Sequence, residues 1–249
     1  MSGLALAVRQ IGFENRAFWR NPPAAFFTFA FPLLFMLIFN VLFGADAAGF
    51  FTPAIIVFGV VTATYTNLAM MVTIARDEGV LKRIRGTPLP PWAYLAGRIG
   101  HSVVIALLLV VIVAGFGSLA YGVDVPWAAL PAMLLVLLVA AATFSALGLF
   151  VSGLIPNADA SPAVVNATIL PVLFISNVFV QMENAPDWLD SVSHLLPVRH
   201  FADAMMAIYA SGADAGVPWL EIGVIGLWGV IGVVGALRFF SWEPRGRAQ

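Results

Sequence analysis

The sequence predicts an all-α integral membrane protein, a bundle of six transmembrane helices, and three observations predict it. Of 249 residues, 61% are hydrophobic and 10% are charged, with a mean hydropathy of +0.96. A soluble domain carries about 25% charged residues, so much of this surface must face lipid. Six apolar stretches, each near the ~20 residues that cross ~30 Å of hydrocarbon, divide the chain. Finally, eleven of the 12 Lys/Arg fall in segments that an even number of crossings places on one side.

Residues 1–23 precede the first stretch. On a wheel at ~100° per residue, Leu4, Val8, Ile11 and Phe18 lie within about 80° of one another, with Arg9, Arg16 and Arg20 roughly opposite. That pattern predicts an amphipathic helix lying in the membrane interface. The spans follow at Ala24–Gly44, Thr52–Ala75, Leu95–Tyr121, Trp127–Ile155, Pro162–Met182 and Pro218–Phe240. Ala45-Asp46-Ala47 has the look of a cleavage site, but the run before it exceeds the roughly 7–15 residues of a secretory h-region and reads as a retained anchor. All 249 residues read as one transmembrane domain.

Arg9, Arg16 and Arg20 precede the first span, Arg76, Lys82, Arg83, Arg85 and Arg98 surround the connection from the second to the third, and Arg238, Arg245 and Arg247 close the last. Only Arg199 falls on the other side, with Asp46, Asp124, Glu183, Asp187, Asp190, Asp203 and Asp214. Basic residues stay in the cytoplasm, so the chain is predicted to be a multi-pass protein of the cell (plasma or inner) membrane with both termini cytoplasmic.

Within the spans, Ala141, Ser145, Gly148 and Ser152 form a small-residue stripe that permits close packing. Gly223, Gly226, Gly229, Gly232 and Gly235 recur every third residue, which drifts by ~60° per step, so they wind around the last helix. Tight packing and a flexible helix are both open for them. In the long segment Glu183–Val217, Trp188, Leu189, Val192, Leu195 and Leu196 precede Pro197, and Phe201, Met205, Ile208 and Tyr209 follow it at helical spacing. Two short re-entrant or interfacial helices broken at Leu196-Pro197 are predicted there, partly sunk into the outer interface.

Several chemistries are excluded. Without cysteine there is no disulfide, thiolate metal site or cysteine nucleophile, and no basic cluster indicates nucleic-acid binding. His194 and His200 with Asp203 lack the i,i+4 spacing of a helical metal site, and Pro197 intervenes. No G-x-x-x-x-G-K-[ST] occurs and Lys82 is the only lysine, so the chain cannot be its own P-loop ATPase. The middle of every span is uncharged, which disfavours a gradient-driven carrier.

The connection Arg76–Pro90 has acids first (Asp77, Glu78), then Gly79, then an apolar edge of Val80, Leu81 and Ile84 among Lys82, Arg83 and Arg85, and closes on Thr87-Pro88. That charge order suits the dipole of a short helix. The order of features resembles the coupling helix of ABC-2 type permeases, the transmembrane subunits of ABC transporters. The amphipathic start, the Asn21-Pro22-Pro23 turn into a Phe-rich first span, the break at Leu195-Leu196-Pro197 and the short tail are similar to the drug-exporter branch of that family. Val80 departs from the pattern, a Thr being common there.

The resemblance implies a permease subunit exporting a hydrophobic or amphipathic, drug-like substrate, as a homodimer or heterodimer with two P-loop ATPase subunits. ATP and Mg would belong to those partners, and no cofactor to this chain. By the resemblance, Arg76, Asp77, Glu78, Gly79, Leu81, Lys82, Arg83, Arg85, Thr87 and Pro88 would form the ATPase-coupling element, with Glu78, Lys82, Arg83 and Arg85 in contact and Leu81 as an apolar plug. Export of a lipid or lipid-linked glycan is the alternative within this class; a gradient-driven carrier or channel, or a membrane assembly protein, lies outside it.

For a substrate path, the polar belt Thr62, Thr64, Tyr65, Thr66 and Asn67 interrupts the second span. Asn166 and Asn177, eleven residues apart, would share a face of the fifth, with Ser176 beside them and Pro171 between. Asn40 lies near the outer end of the first. Asn40, Tyr65, Asn67, Asn166, Ser176 and Asn177 are therefore the pathway candidates; the competing explanation is interhelical hydrogen bonding, worth ~0.6 kcal/mol per pair. Phe26, Phe27, Phe29, Phe31, Phe35 and Phe39 could supply an aromatic wall or face lipid and core.

Overall fold

A chain in hydrocarbon must satisfy its own backbone N–H and C=O groups, and coiling does so locally. In the computed structural model, which describes residues 3–180, 185–212 and 216–244, the described residues form helices and no strand. Met182, Glu183, Asp214, Arg245 and Arg247 lie outside the described residues.

The helices are α1 (Gly3–Trp19), α2 (Pro22–Phe43), α3 (Ala48–Val61), which runs through a π turn (Thr62–Thr66) into α4 (Asn67–Asp77), α5 (Val80–Arg85), α6 (Pro91–Tyr121), α7 (Leu130–Leu154), α8 (Ser161–Phe174), α9 (Asp187–Ser193), α10 (Pro197–Ser211) and α11 (Trp219–Phe239). Among the described residues five stretches are long and apolar enough to cross a membrane: Pro22–Phe43, Ala45–Asp77, Pro91–Tyr121, Trp127–Leu154 and Trp219–Phe239. The start of α2 follows from its sequence. Pro22 and Pro23 occupy the first turn, where no N–H is missed, and the Asn21 side chain accepts from the Ala24 N–H at 3.4 Å.

Helix directions can be read from the closest approaches. Gly59 faces Leu109 and Gly117 faces Thr52, so α3 and α6 are antiparallel. Gly148 of α7 lies against Tyr65, and the Ser152 carbonyl meets Arg76, so α7 runs parallel to α3–α4. Gly229, Gly232 and Gly235 of α11 meet Thr143, Ala146–Leu147 and Phe150, so α11 is parallel to α7 as well. Two parallel helices need a return between them, and α8 begins it.

This return differs from the predicted fifth span. Helix α8 has 14 residues, about 21 Å at 1.5 Å per residue, short of ~30 Å of hydrocarbon. Pro171 cannot donate to the helix ladder, and the helix ends three residues later. Asn177 then adopts a left-handed φ of 59°. Asn177 is thus off the helix, and the predicted shared face with Asn166 does not exist.

Pro197 does separate two helices, and one face of α10 packs on the bundle: Val198, Phe201, Ala202, Ala204, Met205 and Ile208 are all fully buried in the main core. In α1, the residues turned toward α6 are Ala7, Gln10, Ile11, Glu14 and Phe18, while Leu4 and Val8 are exposed. Glycines on α6 permit this close contact, with Gln10 and Ile11 sitting over Gly97 and Gly100.

The glycine repeat resolves into two halves. A Cβ on Gly232 would come 2.8 Å from the Leu147 backbone nitrogen, and one on Gly235 2.6 Å from the Phe150 ring, whereas Gly223 and Gly226 meet nothing within 4 Å. Tight packing therefore explains Gly229, Gly232 and Gly235. Replacing Gly232 by Ala is expected to cost about 1–3 kcal/mol through overpacking against backbone that cannot yield. Gly226→Ala should leave the thermal unfolding midpoint unchanged or raise it; equal effects at the two sites would contradict this packing.

Candidate functional site

Two regions collect functional side chains, both toward the end of the bundle where α4 and α7 finish and α6 begins. The first is α5. Gly79, with φ of 72°, turns the chain between α4 and α5, a conformation that other residues adopt only with strain. The apolar edge of α5 then faces inward. Leu81 is fully buried among Leu68, Val72, Ala75, Tyr94 and Leu149, with Val80 and Ile84 against the same cluster. Glu78, Lys82, Arg83, Arg85, Thr87 and Pro88 are exposed. Leu81 is therefore no plug offered to a partner; it fastens α5 to its own bundle and leaves the charged edge outward. Thr87 Oγ1 donates to the Ile84 carbonyl at 2.7 Å and closes the turn.

Arg76 and Asp77 form the root of this loop. Arg76, only 1% exposed, donates from Nη1 to the Ser152 carbonyl at 2.7 Å and from Nη2 to the Ile155 carbonyl at 2.6 Å. These carbonyls lie at the C-terminal end of α7, where the helix dipole is negative and a cation is favoured. Asp77 Oδ2 accepts from the Ala158 N–H at 3.1 Å, in the turn that leads to α8. Two consecutive residues thus bind the end of α4, from which α5 follows, to the α7–α8 connection. Sequence reasoning included both in the coupling element without a partner for either. A buried cation needs carbonyl partners from elsewhere in the chain, which only the folded arrangement supplies.

The six pathway candidates do not come together. Tyr65 is buried and its hydroxyl lies 2.7 Å from Thr168 Oγ1, an interhelical hydrogen bond. Asn40 is buried and donates to the Met36 carbonyl of its own helix at 2.7 Å. Asn166 is exposed and Ser176 buried. Asn177 donates to Asp203 Oδ1 at 3.3 Å, and Asp203 also takes the Arg199 Nε at 2.7 Å. His200 Nε2 lies 2.9 Å from the His194 carbonyl, and no metal-binding cluster occurs among the described residues.

Asn67 alone of these candidates lines the second region, a cavity of about 530 Å³ between α1, α2, the π turn and α6. The π turn explains why the cavity opens here. The Asn67 N–H reaches back five residues to the Thr62 carbonyl, and Thr64 Oγ1 donates to the Val60 carbonyl at 2.6 Å, which widens one turn at the predicted polar belt. Phe18, Phe27, Phe31 and Ile105 give apolar wall, and Glu14, Arg98 and His101 a charged end. Arg98 Nε lies 3.4 Å from Glu14 Oε1, and its guanidinium carbon lies 5.2 Å from the centre of the Tyr94 ring. Glu14 and His101 were missed from sequence. The available signal was an Arg and a His three residues apart on an otherwise apolar helix, with Glu14 the one acid in the first helix.

A bundle of membrane-spanning helices with a fastened, outward-charged loop helix and an amphipathic cavity defines a membrane permease. The ABC-2 type transporter family matches residues 10–210, and the chain belongs to that family. It is 24% identical over 175 residues to a probable multidrug ABC transporter permease, YbhR, of Escherichia coli K12, covering 70% of this chain and 47% of that one. It is 30% identical over 186 residues to the daunorubicin resistance ABC transporter permease protein DrrB1 of Streptomyces coeruleorubidus, covering 70% of this chain and 64% of that one. The alignments thus span from about half to under two thirds of these relatives.

Arg76→Met should lower stability by about 2–4 kcal/mol, because it strands two buried carbonyls that accept charge-assisted hydrogen bonds. Arg85→Ala, at an exposed position, should stay within about 0.5 kcal/mol. Thermal unfolding of both variants in one detergent checks the contrast.

Proposed function

We propose that this chain is the permease subunit of an ATP-driven exporter that moves a drug-like or other amphipathic molecule outward from the cytoplasm or inner leaflet. The observation that carries the reading is the division of α5 into a buried apolar edge and an exposed charged one, on a chain of the ABC-2 family. A short helix held rigidly to the bundle by Leu81, with Glu78, Lys82, Arg83 and Arg85 outward, offers a separate ATPase a charged docking face. Arg76 and Asp77 then carry its displacement into the α7–α8 turn. ATP and Mg are held by that ATPase, and the working complex pairs two permease subunits with two ATPases.

In the membrane, α8 and the turn after it complete the sixth passage, and both termini lie in the cytoplasm on the side of α5. The drug-like cargo is supported by the similarity to a probable multidrug permease and a daunorubicin resistance permease and by the mixed polar and aromatic lining of the cavity.

The double charge reversal Lys82→Glu with Arg85→Glu should reduce co-purification of the ATPase by about tenfold or more, equivalent to ~1.4 kcal/mol, without moving the unfolding midpoint. Transport into inverted vesicles should fall with it. Undiminished co-purification would sink the docking assignment, and transport that survives ATP depletion would sink the ATP-driven reading.

A further inference from the structure

The charged end of the α1–α2–α6 cavity has incomplete hydrogen bonding, and the pattern specifies a ligand. Arg98 and His101 are three residues apart on α6 and share a face, with Ser102 beside them and Ile105 a turn further in. The side chains of Arg98 and Glu14 are 13% and 12% exposed. At 3.4 Å their contact is an ion pair, and Arg98 Nε makes no hydrogen bond among the described residues. His101 Nδ1 is buried and has no hydrogen-bond partner among them either. Glu14, by contrast, already accepts from Gln10 Nε2 at 2.9 Å. Arg98 Nε can only donate, because a guanidinium has five N–H groups and no acceptor. His101 Nδ1 and the Tyr94 hydroxyl beside Arg98, likewise unpartnered among the described residues, can each donate as well, so the site suits an acceptor-rich anion.

Polarity also changes along the cavity. Asn21 stands at the charged end of α2, and Phe27 and Phe31 follow on the same helix. Both phenylalanines are exposed on the outer surface of the bundle, at 64% and 46%, so this wall opens toward the surface that meets lipid. A polar end near the loops and an apolar end deeper along the spans is the polarity order of one bilayer leaflet.

We infer that this cavity binds a phosphate-headed amphiphile, its head on Arg98 and His101 and its chain along Phe27, Phe31 and Ile105. The site is defined without reference to an ATPase, so it stands or falls separately from the ATP-driven reading. Two sources share this chemistry, a phospholipid of the adjacent leaflet and a single-chain amphiphile that enters from solution.

The test uses the full chain in phosphatidylcholine nanodiscs doped with phosphatidic acid that carries a photoactivatable group on its acyl chain, followed by mapping of the labelled peptides. Label is expected on the α2 and α6 peptides that line the cavity. It should fall about tenfold in Arg98→Gln and persist in Arg98→Lys, which keeps the charge. Ala24→Trp fills the cavity and leaves the Arg98–Glu14 pair in place, so a tenfold loss there cannot come from breaking that pair; unfolding midpoints of all three variants exclude misfolding. Equal labelling by a phosphatidylcholine probe with the same photoactivatable group would overturn the anionic assignment. Label indifferent to Ala24→Trp, or absent from the cavity peptides, would overturn the site. Displacement of label by excess dodecyl phosphate identifies an exchangeable amphiphile from solution, and resistance to it identifies a phospholipid held from the leaflet; either result sustains the phosphate-headed ligand.

Discussion

Between helices in lipid there is no hydrophobic force to draw them together, so association rests on close backbone approach. In this chain that constraint falls on α7. One face presents Ser145, Gly148 and Ser152 to the α3–α4 helix, and a Cβ on Gly148 would stand 2.8 Å from the Tyr65 carbonyl. The opposite face takes the glycines of α11, with Thr143 Oγ1 donating to the Ile225 carbonyl at 3.0 Å. Fixing α3–α4 and α11 on two sides of α7 sets the parallel direction of all three. The short return through α8 and the burial of α10 follow from that arrangement.

The same geometry brings the loop helix under control of the bundle. Because α4 and α7 end at the same level, Arg76 can reach the free carbonyls at the end of α7, and the adjacent Asp77 can reach the turn beyond. Leu81 closes the other side of the junction. Displacing α5 independently of the bundle would expose the buried Leu81 and strain its short link to Arg76 and Asp77, which are held to the α7–α8 connection. Rigid connection is therefore the less costly response to a force on its charged edge.

The cavity has a different origin. The polar belt of the second span was legible as a run of Thr, Tyr and Asn, but its consequence was not. The wide turn appears only in the backbone hydrogen bonding, with the Asn67 N–H on the Thr62 carbonyl, and α7 packs closely beside it at Gly148. Likewise Asn40 and Tyr65 look alike as buried polar residues, yet Asn40 donates to its own helix and Tyr65 bonds across to a neighbouring one. Asn67 was legible as a lining residue, whereas Glu14 and His101 were not, because their significance depends on α1 lying along the start of α6.

Sequence alone determined the membrane class, the helical content, the helix break at Pro197, and the apolar edge of α5. Each of these follows from local physics: hydropathy, turn chemistry and helical periodicity act over a few residues. Only the tertiary structure decided that α8 stops short, that three of the five repeat glycines serve packing, that Leu81 and Arg76 turn inward, and that Glu14, Arg98 and His101 meet at one cavity. Those outcomes depend on which carbonyl or side chain arrives from a distant segment. Residues such as Arg76 and Ser152, remote in the chain, carry no local signal that they will touch.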